Sequence, residues 1–454
     1  MKHLRILALV LALAMCLTAC SNSSTTTSYG ADETNANLPE EALTDVVSYL
    51  TDGAYTADSV IATVGDVDVT AAEALYWTAY QQYSMTYYYY TYYGFSFNMD
   101  DDMGDGTTIG EYLMDIGITN ALVYATGAQK ANENGVTLSD DDASTLETLD
   151  ATNIENYGED RWDAYVDAGL VNEDDFTDDQ KNAWIQEYGE MYYKHSMMYY
   201  ACTNEAYNKL VNNYYLYSAL QDNLFADGGE LAPTDATLDE YVQDYISDNG
   251  ILWGRCILFS TQDCEDDAAK EEVKAQATQV YEMLSGLSGD ELSTAFTEQQ
   301  TQYDGSGYTA GEVQQYTNSD SLVDGYYSGL EALEAGQVGM TDETTYGYFI
   351  LLREADQPDD VTDTAKSNYI STTYNAKISE WMEEYGVSSD NTTLKDLDLT
   401  SFYEKLSELQ SLLQEADTVT AAEDETETAD ASASTSEEET TSSADASASV
   451  STSN

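Results

Sequence analysis

The sequence predicts an α+β protein that is mainly helical in its first half, and three observations carry this. Between residues 70 and 226, apolar and tyrosine side chains recur at three- and four-residue spacing, the period of one helix face. Between residues 255 and 352 the pattern becomes strand, helix, Gly-rich stretch, helix and strand. After Pro358 a long helical period resumes, carrying Ile370, Tyr374, Ile378 and Trp381.

The chain begins with an export pattern. Lys2 and Arg5 precede an apolar run from Ile6 to Met15 that is too short to span a bilayer comfortably. Leu17-Thr18-Ala19-Cys20 then has the form of a lipobox, so residues 1–19 read as a signal peptide and Cys20 as the lipidated N-terminus. A diacylglyceryl cysteine supplies two or more acyl chains, enough for stable anchoring. Residues 20–38, rich in Ser, Thr, Asn and Ala, read as a flexible tether.

Composition narrows the function. Of 454 residues, 85 are acidic and 15 basic, a formal charge of −70. Phosphate recognition needs clustered Lys and Arg, so nucleic acid is excluded as a partner. Beyond the leader His195 is the only imidazole, which removes two-histidine metal sites and most histidine relays. The sequence calls for no metal and no cofactor. Cys256 and Cys264 could close a small loop in an oxidising exterior. With Cys20 acylated, at least one of Cys202, Cys256 and Cys264 stays unpaired, and free, partly buried thiols are the expectation.

The elements follow in order. Val60–Val64, Gly65-Asp66 and Val67–Val69 read as a hairpin. Thr70 with Glu73 forms a capping box for a helix through Leu75, Trp77, Tyr80 and Tyr83. The run Tyr87-Tyr88-Tyr89-Tyr90-Thr91-Tyr92-Tyr93 cannot all face one core, so some rings meet solvent or a partner. Tyrosine suits an adaptable contact surface, with large area at low entropic cost. Asp100–Glu111 is an acidic loop whose register fails as a calcium loop, since Tyr112 stands where the bidentate Glu belongs.

A helix over 108–131 stops at Asn134-Gly135, and Ser139 caps the next. Helical segments are expected over 140–170 and 177–226. The second carries Tyr188, Tyr192, Tyr199, Tyr207, Tyr214 and Tyr217. Tyr87, Tyr90, Tyr192 and Tyr199 are taken as the tyrosines that face a partner, and His195 as an ordinary surface or core residue. Gly228-Gly229 and Pro233 break the chain before a short helix at 234. Then come a strand at 255–259, helices at 270–287 and 322–333, a strand at 348–352 and a helix at 364–385. From Asp417 only Thr, Ala, Val, Ser, Glu, Asp and Asn remain, a composition that cannot bury a core and reads as a disordered tail.

The residues from about 250 to 357 resemble a parvulin-type peptidyl-prolyl isomerase. Arg255-Cys256-Ile257-Leu258 is similar to that family's opening Arg-His-Ile-Leu. Gly307-Tyr308-Thr309 resembles its Gly-rich segment, and Leu322-Val323-Asp324-Gly325-Tyr326 its Met-Val-Pro-Glu-Phe. Leu333–Val338 and Tyr346-Gly347-Tyr348-Phe349-Ile350 resemble its closing segments. The flanks resemble the PrsA/SurA-type extracytoplasmic foldases, in which the isomerase domain is inserted into a helical chaperone domain and the helix after it returns to that domain.

Together with the leader, tether and tail read above, the resemblance implies a domain order of 1–19 signal peptide, 20–38 tether, 39–232 chaperone-like domain, 233–357 parvulin-like domain, 358–416 helical return and 417–454 acidic tail. It places the family's catalytic positions on Cys256, Phe349 and Thr344, and its proline pocket on Leu322 and Tyr326, with Asp304 the nearest candidate for the acidic position. Both family histidines are replaced, by Cys256 and Phe349. Isomerisation must break amide resonance across a barrier of ~20 kcal/mol, and neither side chain reproduces an imidazole network. The expectation is a membrane-anchored chaperone for unfolded exported polypeptides, with weak or lost isomerase activity. The alternative is a solute-binding or adhesive lipoprotein.

Overall fold

The structure, a computed structural model, describes Asn35 and residues 37–418. The signal peptide, Cys20, most of the tether and the tail beyond Thr418 lie outside the described residues.

Two short helices come first, α1 (Glu40–Thr44) and α2 (Val46–Leu50), the latter capped by Asp45. The expected hairpin follows as β1 (Val60–Val64) and β2 (Val67–Thr70), closed around Gly65, whose φ of +60° the turn requires. Helix α3 (Ala71–Tyr93) starts at the expected capping box: Thr70 and Glu73 each accept the other's backbone N–H. Glu73 is buried and also receives Lys209 Nζ at 2.8 Å, which ties this cap to a later helix. Residues 71–79 of α3 are buried, and beyond them the helix leaves the core.

Helix α4 (Ile109–Glu133) has its own capping box, Thr108 with Glu111, and stops at Asn134 with Gly135 at positive φ. Helix α5 (Asp140–Asp167), capped by Ser139, pairs with α6 (Asp178–Tyr199) as a hairpin around Trp162, Ile185, Tyr188 and Tyr192. Helix α7 (Asn204–Phe225) follows. One continuous helix over 177–226 was expected; the structure breaks it at Tyr200–Thr203. Buried Ala201 takes φ +55°, and Thr203 caps α7 through the Ala206 N–H. Nothing in a tyrosine stripe marks such a break, because both helices keep the same apolar period.

After α8 (Asp235–Asp248) comes the α/β unit: β3 (Leu252–Ser260), α9 (Asp267–Leu284), α10 (Gly289–Tyr303), β4 (Gln314–Tyr316), α11 (Tyr326–Glu331), β5 (Val338–Met340) and β6 (Gly347–Arg353). The sheet is antiparallel in the order β4-β3-β6-β5. Strand alternation divides it. Ile257, Phe259, Tyr348, Ile350 and Leu352 pack against residues of α9 and α10, while Cys256, Leu258, Phe349 and Leu351 form the opposite face with Leu330 of α11. The helix expected over 322–333 shrinks to α11, because Gly325 at φ +86° holds residues 322–325 outside it.

The chain then returns as expected. Helix α12 (Thr362–Tyr385) puts Tyr374, Ile378 and Trp381 into the core of the first helical region, and α13 (Leu399–Ala416) adds Phe402, Leu406 and Leu409. The Tyr374 hydroxyl donates to Tyr217 O at 2.8 Å, fastening α12 to α7.

The ends are more ordered than composition suggests. His195 is buried; its Nδ1 lies 2.7 Å from Asp417 Oδ1 and its Nε2 2.7 Å from Asn35 Oδ1. Arg161 donates to Asp417 O at 2.7 Å, and Leu38 is buried. The last residues of the tether and the first of the tail therefore belong to the fold, because one buried imidazole needs two polar partners.

Candidate functional site

The sheet face opposite α9 and α10 gathers the residues the sequence singled out. Cys256 on β3 is paired with Leu351 of β6, and Phe349 with Leu258, so Cys256 and Phe349 project from one face of adjacent strands. Tyr326, the first residue of α11, covers them: its ring meets Phe349 edge-on at 5.0 Å, and its hydroxyl donates to Tyr316 at 2.8 Å. Leu322 packs on the rim, half-buried.

A polar thread runs through this apolar face. The Cys256 thiol lies beside Tyr326 and Ser306, and the Tyr326–Tyr316 hydroxyl pair leads on toward Tyr308. The Asp304 carboxylate accepts from Leu258 N at 2.8 Å, Ser306 N at 3.0 Å and Ser306 Oγ at 2.5 Å. It is thus placed beside the cysteine, where the family resemblance looked for its acid. Burial pushes the Cys256 thiol up to about 11, and the nearby Asp304 charge adds to this against the hydroxyl contacts. Burial likewise raises Tyr316 and Tyr326. At neutral pH the thread is uncharged, with a thiol that is no nucleophile.

Sequence reasoning missed one organising residue. Gln300 of α10 is buried; it donates to Cys256 O at 2.9 Å and accepts from Gly311 N at 3.0 Å. It holds the Gly-rich stretch to β3 beneath the site. Only a lone amide on an apolar helix face signals it.

Thr344 does not join the cluster. Its hydroxyl donates to Gly347 O at 2.7 Å and accepts from the Tyr346 and Gly347 N–H groups, closing the turn before β6. Arg255, in the strand motif, is buried and structural: it pairs with Glu354 at 2.6 Å and donates to Ser293 Oγ and Thr297 Oγ1 of α10.

The client-facing tyrosines divide. Tyr87 and Tyr90, near the end of α3, are exposed at 57 % and 69 %, alongside Tyr88, Tyr92, Tyr93 and Phe95. Tyr192 is 1 % exposed, with Arg161 4.2 Å over its ring and His195 against its edge, so it is a core residue rather than a contact surface. Its stripe is covered by α5, which spacing alone could not foresee. Tyr199 is half-buried against Tyr83 and Tyr200.

Elsewhere, a cleft of about 200 Å³ lies between α4 and α12, lined by Val123, Tyr124, Ile378 and Met382. Cys202, Cys256 and Cys264 are free thiols. Among the described residues no helix is long and apolar enough to cross a membrane, and no cluster of His, Cys, Asp or Glu could hold a metal ion.

No protein-family model matches the chain, and no curated protein matches it. Solved structures similar to it are PrsA foldases and SurA-like chaperones. One is PrsA of Bacillus subtilis, 16 % identical over 72 % of this chain and 94 % of that one, with a TM-score of 0.19. Another is the foldase PrsA of Streptococcus pneumoniae, 12 % identical over 80 % and 96 %, with a TM-score of 0.20. A third comes from a study of two SurA-like chaperones of Campylobacter jejuni, PEB4 and Cj1289, 16 % identical over 48 % and 88 %, with a TM-score of 0.19.

Proposed function

We propose that the chain is a lipid-anchored extracytoplasmic chaperone of the foldase type, held to the membrane through Cys20. It binds unfolded exported polypeptides through the exposed tyrosines of α3 and retains little or no isomerase activity. Residues 39–232 and 358–416 form its chaperone lobe and residues 233–357 a parvulin-like lobe.

The observation that carries this reading is the end of α3. Tyr87, Tyr88, Tyr90, Tyr92, Tyr93 and Phe95 stand together in solvent at about half exposure or more. A contiguous aromatic patch kept in water marks an interaction surface, and tyrosine rings accept varied partners without large entropic loss. The sheet face supports weak or lost catalysis: Cys256, Tyr316, Tyr326 and Phe349 are each at most 7 % exposed, so a prolyl ring enters only by displacing the chain's own rings.

Three measurements test the reading. A Cys20→Ser chain should leave the membrane fraction; continued membrane attachment removes the anchor from the proposal. That released chain should slow aggregation of an unfolded test protein at near-stoichiometric ratio, and a folded chain without effect is no chaperone. Prolyl cis/trans exchange, followed by NMR, should stay near the uncatalysed tens of seconds. Clear acceleration by the natural chain would make it a working isomerase without histidines.

A further inference from the structure

We infer that the projecting end of α3 is a docking surface for cationic polypeptide segments, whose Lys and Arg side chains lie over the faces of Tyr87, Tyr90, Tyr92 and Tyr93. This rests on the chaperone reading and names the kind of segment its tyrosines take.

The argument begins with how this fold uses its own cations. Lys130 lies over Trp381 and Tyr385, Arg161 over Tyr192, Lys181 over Trp162, and Lys405 over Tyr49, at 4.2–5.6 Å from the ring centroids. An aromatic face attracts a cation electrostatically, and the α/β region does the same with Arg255 over Phe296 and Lys274 over Tyr348. At the end of α3 the rings are present and the cation is not. Residues 6–129 contain no Lys or Arg at all, so no cation reaches these rings from within the segment that carries them. Among the described residues no cation–ring contact falls on Tyr87–Phe95.

The surrounding charge has the matching sign. After Gly94 the chain turns back: Tyr89 packs on Phe95 and Phe97, and the loop brings Asp100, Asp101 and Asp102 to the start of α4. No Lys or Arg of the described residues forms a salt bridge with these three carboxylates. They accept instead from backbone N–H groups and the Thr400 hydroxyl. The acidic loop thus directly follows the aromatic patch along the chain. Against a chain of −70, an acidic segment, an anionic lipid surface or a second copy of this chain is repelled, while a basic segment is steered in.

The test uses the full chain carrying Cys20→Ser and three labelled peptides of equal length and aromatic content: one Lys/Arg-rich, one neutral and one acidic. Binding is measured for the parent and for a triple variant, Tyr90→Ser, Tyr92→Ser and Tyr93→Ser. These side chains are exposed, so the fold is kept, and net charge is unchanged. A Tyr346→Ser variant, altering an exposed tyrosine elsewhere, is the control. The basic peptide should bind at least tenfold tighter than the neutral one, and the triple variant should lose about tenfold or more of that binding. The control should lose none.

Equal affinity for basic and neutral peptides overturns the inference. So does full basic-peptide binding by the triple variant, which would leave only diffuse electrostatics. Self-association of the parent that the triple variant abolishes, without loss of peptide binding, would make the occupant a second copy and overturn it too. If the chain suppresses aggregation of a neutral client while showing no basic preference, this inference fails and the chaperone reading stands. If it does neither, both fail.

Discussion

Gly158 and Gly189 face each other's helix reciprocally across the α5–α6 hairpin. A Cβ on Gly158 would lie 2.1 Å from Ile185 O, and one on Gly189 would lie 2.0 Å from Ile154 O. Each glycine thus meets the backbone of the isoleucine four residues before the other. The neighbouring atoms are backbone and cannot rotate away. Gly158→Ala or Gly189→Ala should therefore push the helices apart and cost ~1–3 kcal/mol. Thermal unfolding should show each single variant lowered, and the double variant lowered by less than the sum, since the first opens the contact for the second. Unchanged melting in both single variants would contradict this close approach.

The Arg255–Glu354 pair offers a contrast in direction. Arg255 is 3 % exposed and Glu354 Oε1 lies 2.6 Å from its Nε. Removing the carboxylate by Glu354→Ala leaves a buried guanidinium with only hydroxyl and carbonyl partners, at a cost of about 3 kcal/mol. Arg255→Met removes the charge itself and should cost less. Chemical denaturation of the two variants decides between them; a milder Glu354→Ala would show that Ser293 and Thr297 satisfy the arginine alone.

Acid should loosen the junction of α4 and α12. Glu133 accepts from the Tyr385 hydroxyl at 2.6 Å and from Gln129 at 3.0 Å, with Lys130 at 3.1 Å, and these contacts hold its carboxyl down to about 2. A carboxyl lowered on folding contributes stability above its unfolded value of 4.5, and that contribution is lost as pH falls toward 2. The natural chain should accordingly exceed Glu133→Gln in stability at pH 7, and the gap should close between pH 4.5 and 2. Parallel curves for the two chains over that window would show the contacts to be idle.

Thiol reactivity should sort by depth. Burial raises both Cys256 and Cys202, whereas Cys264 is half-buried in the turn after β3. Since the thiolate is the reacting species, iodoacetamide at pH 8 should label Cys264 in the folded protein and leave the other two until unfolding. Peptide mass spectrometry reads this directly. Early labelling of Cys256 would mean that the Tyr326 cover opens readily.

Much of this fold was legible, and the reasons are local. Thr70 with Glu73, Ser139, and Asn134-Gly135 are chemical punctuation: a side-chain oxygen facing an orphan N–H, or a glycine at positive φ. Strands β3 and β6 lie where the apolar runs 255–259 and 348–352 read as strands, but that Cys256 and Phe349 share a face depends on the register in which the two pair. What escaped depends on tertiary partners. Tyr192 and Tyr87 look alike in a stripe, yet α5 buries the first while the second stays 57 % exposed. The break at Ala201, the Gln300 brace and the partners of His195 join residues whose relation no spacing records. Ile154 and Gly158 do repeat the interval of Ile185 and Gly189, but only the hairpin gives that coincidence a meaning.

His195 makes the two ends of the described chain neighbours: Asn35 and Asp417 grip opposite nitrogens of one small ring. A segment whose first and last described residues meet is topologically close to a loop. A short linker from Thr418 to Asn35 should close it without strain, and a new opening in the exposed turn at Gly104–Gly106 should be tolerated, since circular permutation succeeds where termini adjoin. Such a permutant would keep the fold while moving both free ends to the foot of the tyrosine helix.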